Sequence, residues 1–437
     1  MSASTNLKRL GILVGGGPAP GINSAISAVA IEANNHNIEV IGFLDGFKWL
    51  VRDGIEWSDP ECPYCRRLTI DDVKQIHLRG GSILGTSRTN PTQQLEQVLR
   101  AFREMEIDAL VTIGGDDTAY SAHQVYLAAK GALRVAHIPK TIDNDLPLPG
   151  STPTFGFETA RHVGTMLVSN LAEDARTTGR WYLVVSMGRA AGHLALGIGT
   201  ASAATLTLIP EEFGFHPVPI KYICDTIIGS IIKRSQKRNY GVVVLAEGLI
   251  EAIGEQALVE AMKATGTPDR YGDIKRDEHG HLRLGEIEFG RMMKDLLSVQ
   301  LKNEFPMLQT TFIDKDLGYE LRCARPIPFD IEYTRNLGYG AVKFLRSERA
   351  SQSDAMIAFV DGRMHLMAFE EFLNPQTKRA LPRKVSPQGE AYECARRYMI
   401  RLEKRDFDNP ETLRQLAASA NMEPEAFRNR FGYLVGA

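Results

Sequence analysis

Short apolar runs alternate with longer stretches of helical period through the first two-thirds of the chain. "LKRLGILVGG" (7–16), "IEVIGFL" (38–44), "IDALVTIGG" (107–115) and "LRVAHIP" (133–139) each read as a strand. A helix is predicted over 20–35, and another between the strands at 107–115 and 133–139. A helix near 156–178 leads to strand "WYLVVSM" (181–187), one near 190–202 to "TLTLIP" (205–210), and one near 217–236 to "YGVVVLAEG" (240–248). These runs are apolar throughout rather than at every second residue, as in strands covered on both faces. Such strands separated by helices predict an α/β fold with parallel sheet. The periodicity does not decide between one large sheet and two. Three prolines in "LPLPGSTPT" (146–154) make that stretch a candidate domain crossing.

The pattern then changes. Residues 265–290 are polar, charged and turn-rich, and read as an excursion with a hairpin around "DEHGH" before a helix near 288–303. "AMIAFVDGRMHLMAF" (355–369) predicts two antiparallel strands turning at Asp361-Gly362. The tail is helical; in "DNPETLRQLAASA" (408–420) Asp and Asn before Pro form a helix-start signal.

Bulk properties narrow the class. A chain of 437 residues suggests two or three domains at roughly 100–200 residues each. A net charge of −2 gives no global basic field, which argues against nucleic-acid or membrane partners. "MSASTNLKR" lacks the apolar core of a signal peptide, and no apolar run is long enough for a bilayer. The C-x-x-C pair Cys62 and Cys65 has no second pair and no nearby histidine, so it reads as free thiols before it reads as a zinc site. A reducing cytoplasm fits five cysteines, an odd number.

Chemistry gathers at strand ends. "GGGPAPGINSAI" (15–26) is a glycine-rich turn between a strand and a helix. Exposed backbone N–H groups and a helix N-terminus suit phosphate, although a plain tight turn needs the same glycines. It has neither the G-x-G-x-x-G phase nor the Gly-Lys-Ser/Thr of a P-loop. "GGDDTAYSA" (114–122) ends another strand and sets Asp116 and Asp117 at the carboxyl edge of the sheet, where open α/β sheets bind ligands. A carboxylate beside a phosphate loop suits magnesium. A helix N-cap would account for one aspartate, not two. "PKTIDND" (139–145) places Asp143 and Asp145 two residues apart behind Lys140, suited to proton transfer and metal attraction or, alternatively, to an Asx-rich turn. Arg88, Arg180, Arg189, Arg322 and Arg325 lie at element ends beside glycines, and Glu247 lies at another strand end. Arginine grips phosphate in bidentate fashion and stabilises charge during phosphoryl transfer.

Taken in order, "GGGPAPGIN", "LGTSRTNP", "GGDDT", "PKTIDND", "SMGRAAGHLA", "AEG" and "GYELRCARP" resemble the phosphofructokinase family over roughly residues 8–345. The resemblance implies two doubly wound, mostly parallel sheet domains with an active-site cleft between them, plus a C-terminal helical tail. A donor-phosphate domain would span 1–150 and be rejoined by about 325–350. A sugar-phosphate domain would span 151–324, with 351–437 an extension of unknown role. The implied reaction moves a phosphoryl group to O1 of fructose 6-phosphate. By position, Asp143 resembles the base, with Asp145 and Thr141 beside it, and Asp116 the Mg2+ carboxylate. Gly15 and Gly16 would cradle donor phosphates, and Arg88 would bridge donor and acceptor. Met187, Gly188, Arg189 and Glu247 would hold the sugar; Tyr319 and Arg322 would hold its phosphate. Arg180 resembles an arginine reaching a neighbouring subunit, which implies a homo-oligomer. Two departures stand out. Tyr319 replaces a histidine of many relatives, and a further arginine before this motif has no counterpart, Lys315 being near but not aligned.

The family divides by donor. ATP users tend to carry Gly at the positions of Asp117 and Lys140, whereas pyrophosphate users resemble this sequence. Losing adenosine, about twenty heavy atoms at ~0.3 kcal/mol each, forfeits roughly 6 kcal/mol of possible binding. A lysine ammonium ~4 Å from a phosphate oxygen returns about 4 kcal/mol at an effective dielectric near 20. Lys140 is therefore expected to grip pyrophosphate, and the reaction to be appreciably reversible. An ATP-dependent phosphofructokinase is the nearest alternative. A dinucleotide-dependent dehydrogenase lacks its glycine phase and acidic ribose-binding residue, and a non-catalytic sugar-phosphate sensor would not need Asp116, Asp143, Arg88 and Arg189 together.

Overall fold

A computed structural model of the chain describes residues 7–266, 268–272, 286–372 and 381–436. They divide into two compact units, Met1–Ala160 with Tyr319–Arg383, and Arg161–Gly318 with Lys384–Ala437. In chain order the strands are β1 (Arg9–Val14), β2 (Glu39–Phe43), β3 (Cys65–Arg67), β4 (Ala109–Gly114), β5 (Arg134–Thr141) and β6 (Phe155–Gly156). Then come β7 (Trp181–Ser186), β8 (Leu206–Leu208), β9 (Gly241–Ala246), β10 (Phe312–Leu317), β11 (Ala355–Val360) and β12 (Arg363–Met367).

The first unit holds one sheet in the order β12-β11-β5-β4-β1-β2-β3, with β6 beside β5. Pairing is parallel except at the two edges, where β3 and β12 run antiparallel. The alternation of side chains explains the continuous apolar runs. Leu10, Ile12 and Val14 of β1 pack with helices Ile22–Asn35 and Pro328–Leu345, while Leu13 enters a separate core with Val98 and Phe102. From β1 the chain goes to β2 on one side and later to β4 on the other. The carboxyl ends of β1 and β4 therefore flank the point where strand order reverses, the usual ligand position of a doubly wound sheet.

The second unit holds the parallel sheet β10-β7-β9-β8. Its helix Ile220–Ser235 is buried at every position from Ile223 to Ile232. A helix apolar on all sides needs cover on all sides. The C-terminal segment supplies it: Leu402, Phe407, Leu413, Leu416, Phe427 and Phe431 belong to the same core. Each such side chain contributes about 1.5–3 kcal/mol on full burial. Helix Pro410–Ser419 starts where the Asp-Asn-Pro signal puts it, with Asn409 Oδ1 accepting from the Glu411 and Thr412 amides at 2.9 and 3.0 Å.

Residues 351–437 thus form no region of their own. The hairpin β11–β12 extends the first sheet, turning at Asp361 (φ 50°) and Gly362 (φ 72°), the left-handed pair a two-residue hairpin requires. The segment from Lys384 completes the second unit. The division between units falls at Ala160, inside helix Phe157–Thr178, and not in the proline-rich loop. That loop belongs to the first unit because Leu146 and Leu148 are buried against Met356, Ala358 and Phe369. Strand β10, "FIDKDL", was not legible; as an edge strand it is polar at its centre. Helices Leu95–Glu104 and Pro328–Leu345 add to those expected, the first with Val98, Ala101 and Phe102 on its buried face. The hairpin expected around "DEHGH" lies outside the described residues. Cys62 and Cys65 are free thiols near the edge strand β3. Burial, then the neighbouring Cys62, pushes the Cys65 thiol up to about 12.

Candidate functional site

Three loops at the carboxyl ends of β1, β4 and β5 make the chemical edge of the first unit. After β1, the Gly15 amide donates to the Ile113 carbonyl at 2.9 Å and the Gly16 amide to the Ser87 carbonyl at 2.8 Å. The Thr86 hydroxyl donates to the Gly16 carbonyl at 2.6 Å. The segment before Arg88 is thereby stitched to the glycine turn, and Arg88 itself is exposed. The glycines are steric necessities here. A Cβ on Gly15 would lie 2.4 Å from Thr118 Oγ1, and one on Gly114 would lie 2.3 Å from Thr118 Cβ. Thr118, to which the sequence pointed only as part of "GGDDT", is the buried contact that draws both turns together.

Helix Asp116–Ala129 opens at the end of β4 with Gly115 as its cap residue. Neither aspartate occupies the cap position, so the capping explanation accounts for neither. Both lie in the first turn, where the helix dipole favours negative charge.

Lys140 is only 4% exposed. Its Nζ donates to the Gly17 carbonyl and stands 3.5 Å from where a Cβ on Gly16 would be. Burial, then Arg322, lowers its pKa to about 8, with Arg88 adding to the fall and Asp143 and Asp145 opposing it. Beyond it, the Thr141 hydroxyl accepts from the Asp143 amide at 3.0 Å. Asn144 takes the left-handed conformation at φ 57°. Its Oδ1 accepts from the Thr154 amide at 3.1 Å, which closes the turn. Asp143 and Asp145 on either side are half-buried. Burial, then Asp143 and Asp116, raises the Asp145 carboxyl to about 7. Arg322 also belongs here: its guanidinium carbon lies 3.7 Å from a Cβ position on Gly17 and 5.1 Å from the Tyr319 ring centre. Tyr319 itself is 69% exposed.

The turn has a partner that no sequence motif announced. Arg383 binds Asn144, Asp145 and Thr152 through side chain and backbone, from a position 239 residues after Asn144.

In the second unit, Met187, Gly188 and Arg189 follow β7, and Glu247 follows β9. The Glu247 amide donates to the Ser186 carbonyl at 2.9 Å, the Gly248 amide to Gly188 at 3.1 Å, and the Met187 amide to Leu317 at 3.1 Å. These bonds bring together the ends of β7, β9 and β10. Arg180 stands at the other end of β7, exposed, its carbonyl accepting from the Gly241 amide at 3.2 Å. Within one chain it is apart from Met187–Arg189. Lys315 lies on β10 opposite Val184.

Among the described residues no group of three or more His, Cys, Asp or Glu side chains could hold a metal. Asp116 and Asp143 nevertheless lie at the same sheet edge as Asp145, whose carboxyl burial and then these two neighbours raise. One or two carboxylates fit an ion that keeps its waters and completes its shell with phosphate oxygens. Among the described residues no helix is long and apolar enough to cross a membrane.

The profile of the family described as phosphofructokinase matches residues 9–345. The pyrophosphate–fructose 6-phosphate 1-phosphotransferase of Thermotoga maritima is 49% identical over 428 residues, 97% of this chain and 98% of that one. The protein of the same name from Naegleria fowleri is 46% identical over 441 residues, 98% of this chain and 96% of that one. The crystal structure of a pyrophosphate-dependent phosphofructokinase from Nitrosospira multiformis shares the fold with a TM-score of 0.65 at 15% identity, covering 95% of this chain and 92% of that one. Glycine turns, paired aspartates and a doubly wound sheet agree with that profile, and the chain belongs to the phosphofructokinase family.

Proposed function

We propose that the chain transfers a phosphoryl group from inorganic pyrophosphate to O1 of fructose 6-phosphate, giving fructose 1,6-bisphosphate and phosphate. The observation that carries this reading is Lys140, a buried cation set against the glycine turn at Gly16 and Gly17. Likeness over nearly the full length to two pyrophosphate–fructose 6-phosphate 1-phosphotransferases supports the same donor.

In this reading the turn at Gly15 and Gly16, whose amides are held by the Ile113 and Ser87 carbonyls, leaves room for the donor, the Lys140 ammonium binds it with Asp117 alongside, and Arg88 spans the transferred phosphoryl group. Asp143 takes the proton from the acceptor hydroxyl. Asp145 and Thr141 set its surroundings. Asp116 would hold magnesium, which when bound would offset the negative charge of the phosphates. Met187, Gly188, Arg189 and Glu247 bind the sugar, and Tyr319 and Arg322 its phosphate. Exposed Arg180 serves the sugar-phosphate site of a second copy, which makes the enzyme a homo-oligomer. The two phosphorylated species are close in energy, so the reaction is readily reversible.

The test is turnover of fructose 6-phosphate with pyrophosphate and with ATP. Pyrophosphate should be the working donor, and Lys140→Gly should lower its kcat/KM by about 10³-fold, the equivalent of about 4 kcal/mol. Turnover on ATP alone, or a Lys140→Gly variant as active as the parent on pyrophosphate, overturns the reading.

A further inference from the structure

We propose that Arg383 is a positioning residue for the Asp143–Asp145 turn, so that the segment following the family-matched region takes part in catalysis. The family profile ends at residue 345, and Arg383 lies beyond it. Its guanidinium uses all three nitrogens on the turn. Nε donates to the Asn144 carbonyl at 3.1 Å, Nη1 to the Thr152 carbonyl at 2.9 Å, and Nη2 to Asn144 Oδ1. The Arg383 amide adds a bond to the Asp145 carbonyl at 2.6 Å.

These contacts fix what the turn cannot fix alone. Asn144 sits at φ 57°, a conformation open at little cost to Gly, Asn and Asp. The Asn144 carbonyl, its side-chain oxygen and the Thr152 carbonyl all face one cation, and hydrogen bonds to a charged group are about twice as strong as neutral ones. Arg383 is half-buried, and burial lowers its pKa, with Asp145 and Tyr333 opposing the fall. The cation therefore also attracts the Asp145 carboxylate. Lysine cannot replace the fork, because an ammonium is a point charge without its planar geometry. A shift of about 1 Å in a reacting group costs on the order of 100-fold in rate.

The proposal rests on the catalytic role given above to the Asp143–Asp145 pair. The experiment compares wild type, Arg383→Lys and Arg383→Met, each first shown to be folded by circular dichroism and thermal melting. Steady-state kinetics are run with whichever donor the wild type uses, so a wrong donor assignment shows in the wild type alone. Both variants should lose about 100-fold in kcat, with the KM for donor changed far less. Should Arg383→Met not fold, Arg383→Lys carries the test through kcat against KM. Folded variants with wild-type kcat overturn the proposal. So does a loss confined to melting temperature.

Discussion

Each unit buries charge, but in opposite ways. In the second unit, Asp225 is fully buried and surrounded by opposite charge and donors. Arg430 reaches it with both Nη atoms at 2.5 and 2.7 Å, Gln300 donates at 3.0 Å, and Lys221 and Tyr433 complete the set. Burial alone would raise its carboxyl, but hydrogen bonds from Arg430, Lys221 and Tyr433 hold it below the ordinary range. At the carboxyl edge of the first sheet the arrangement is reversed. Burial lowers Lys140 and raises Asp145; Arg322 and Arg88 add to the first shift against the pull of Asp143 and Asp145, and Asp143 and Asp116 add to the second, so each group is left perturbed by burial and by like charge together. A cluster that satisfies itself stabilises the fold. One that gathers like charges needs something from outside, and a polyanion with a cation answers both needs. Perturbed groups mark function when their own neighbours worsen the perturbation.

Removing a charge from each cluster should therefore have crossed effects. The largest is expected at Asp143→Asn, which should lower kcat by as much as about 10⁴-fold, the upper range for a general base. Its unfolding free energy should hold or rise, since one repelling carboxylate is gone. Arg430→Met should do the converse. Breaking a buried pair leaves Asp225 short of its strongest partner and costs about 3 kcal/mol of stability. Its kcat at a temperature where the variant is folded should match wild type. Urea unfolding and steady-state rates on the same preparations check both. If Asp143→Asn destabilises the protein as Arg430→Met does, the two clusters are alike and the distinction fails.

How far the sequence revealed each cluster follows from where its partners lie. The first sheet's edge was legible because each of its chemical groups sits at the carboxyl end of its own apolar strand: Gly15 just after β1, Asp116 just after β4, Lys140 as the last residue but one of β5. The second unit's strands were legible for the same reason, save β10, whose polar centre reflects an edge position. Asp225 was not singled out, although a lone aspartate in "YICDTIIGSII" hints at a buried partner. That partner is 205 residues away, and no periodicity reports it. Arg383 was hidden likewise, as were the Thr118 contacts that force glycine at 15 and 114. Local pattern reveals what the chain does within a strand and a turn; clamps between distant segments leave no local mark.

The smallest expected effect is the sharpest test of the contrast, because it asks for a sign. Asp145 titrates near 7 when folded, above its ordinary value of 3.8. The folded chain therefore holds that proton more tightly than the unfolded one. Its stabilising contribution is fully present below the ordinary value and is lost as pH rises through about 7. Asp145→Asn, which keeps the shape without the charge, should thus unfold at higher urea than wild type at pH 8, with a smaller advantage at pH 5 that vanishes only below the ordinary value of 3.8. Asp225 runs the other way, contributing above the ordinary carboxylate range and losing that contribution as pH falls. An Asp145→Asn variant destabilised equally at both pH values would mean that Asp145 is as well satisfied as Asp225, and that its environment asks nothing of a ligand.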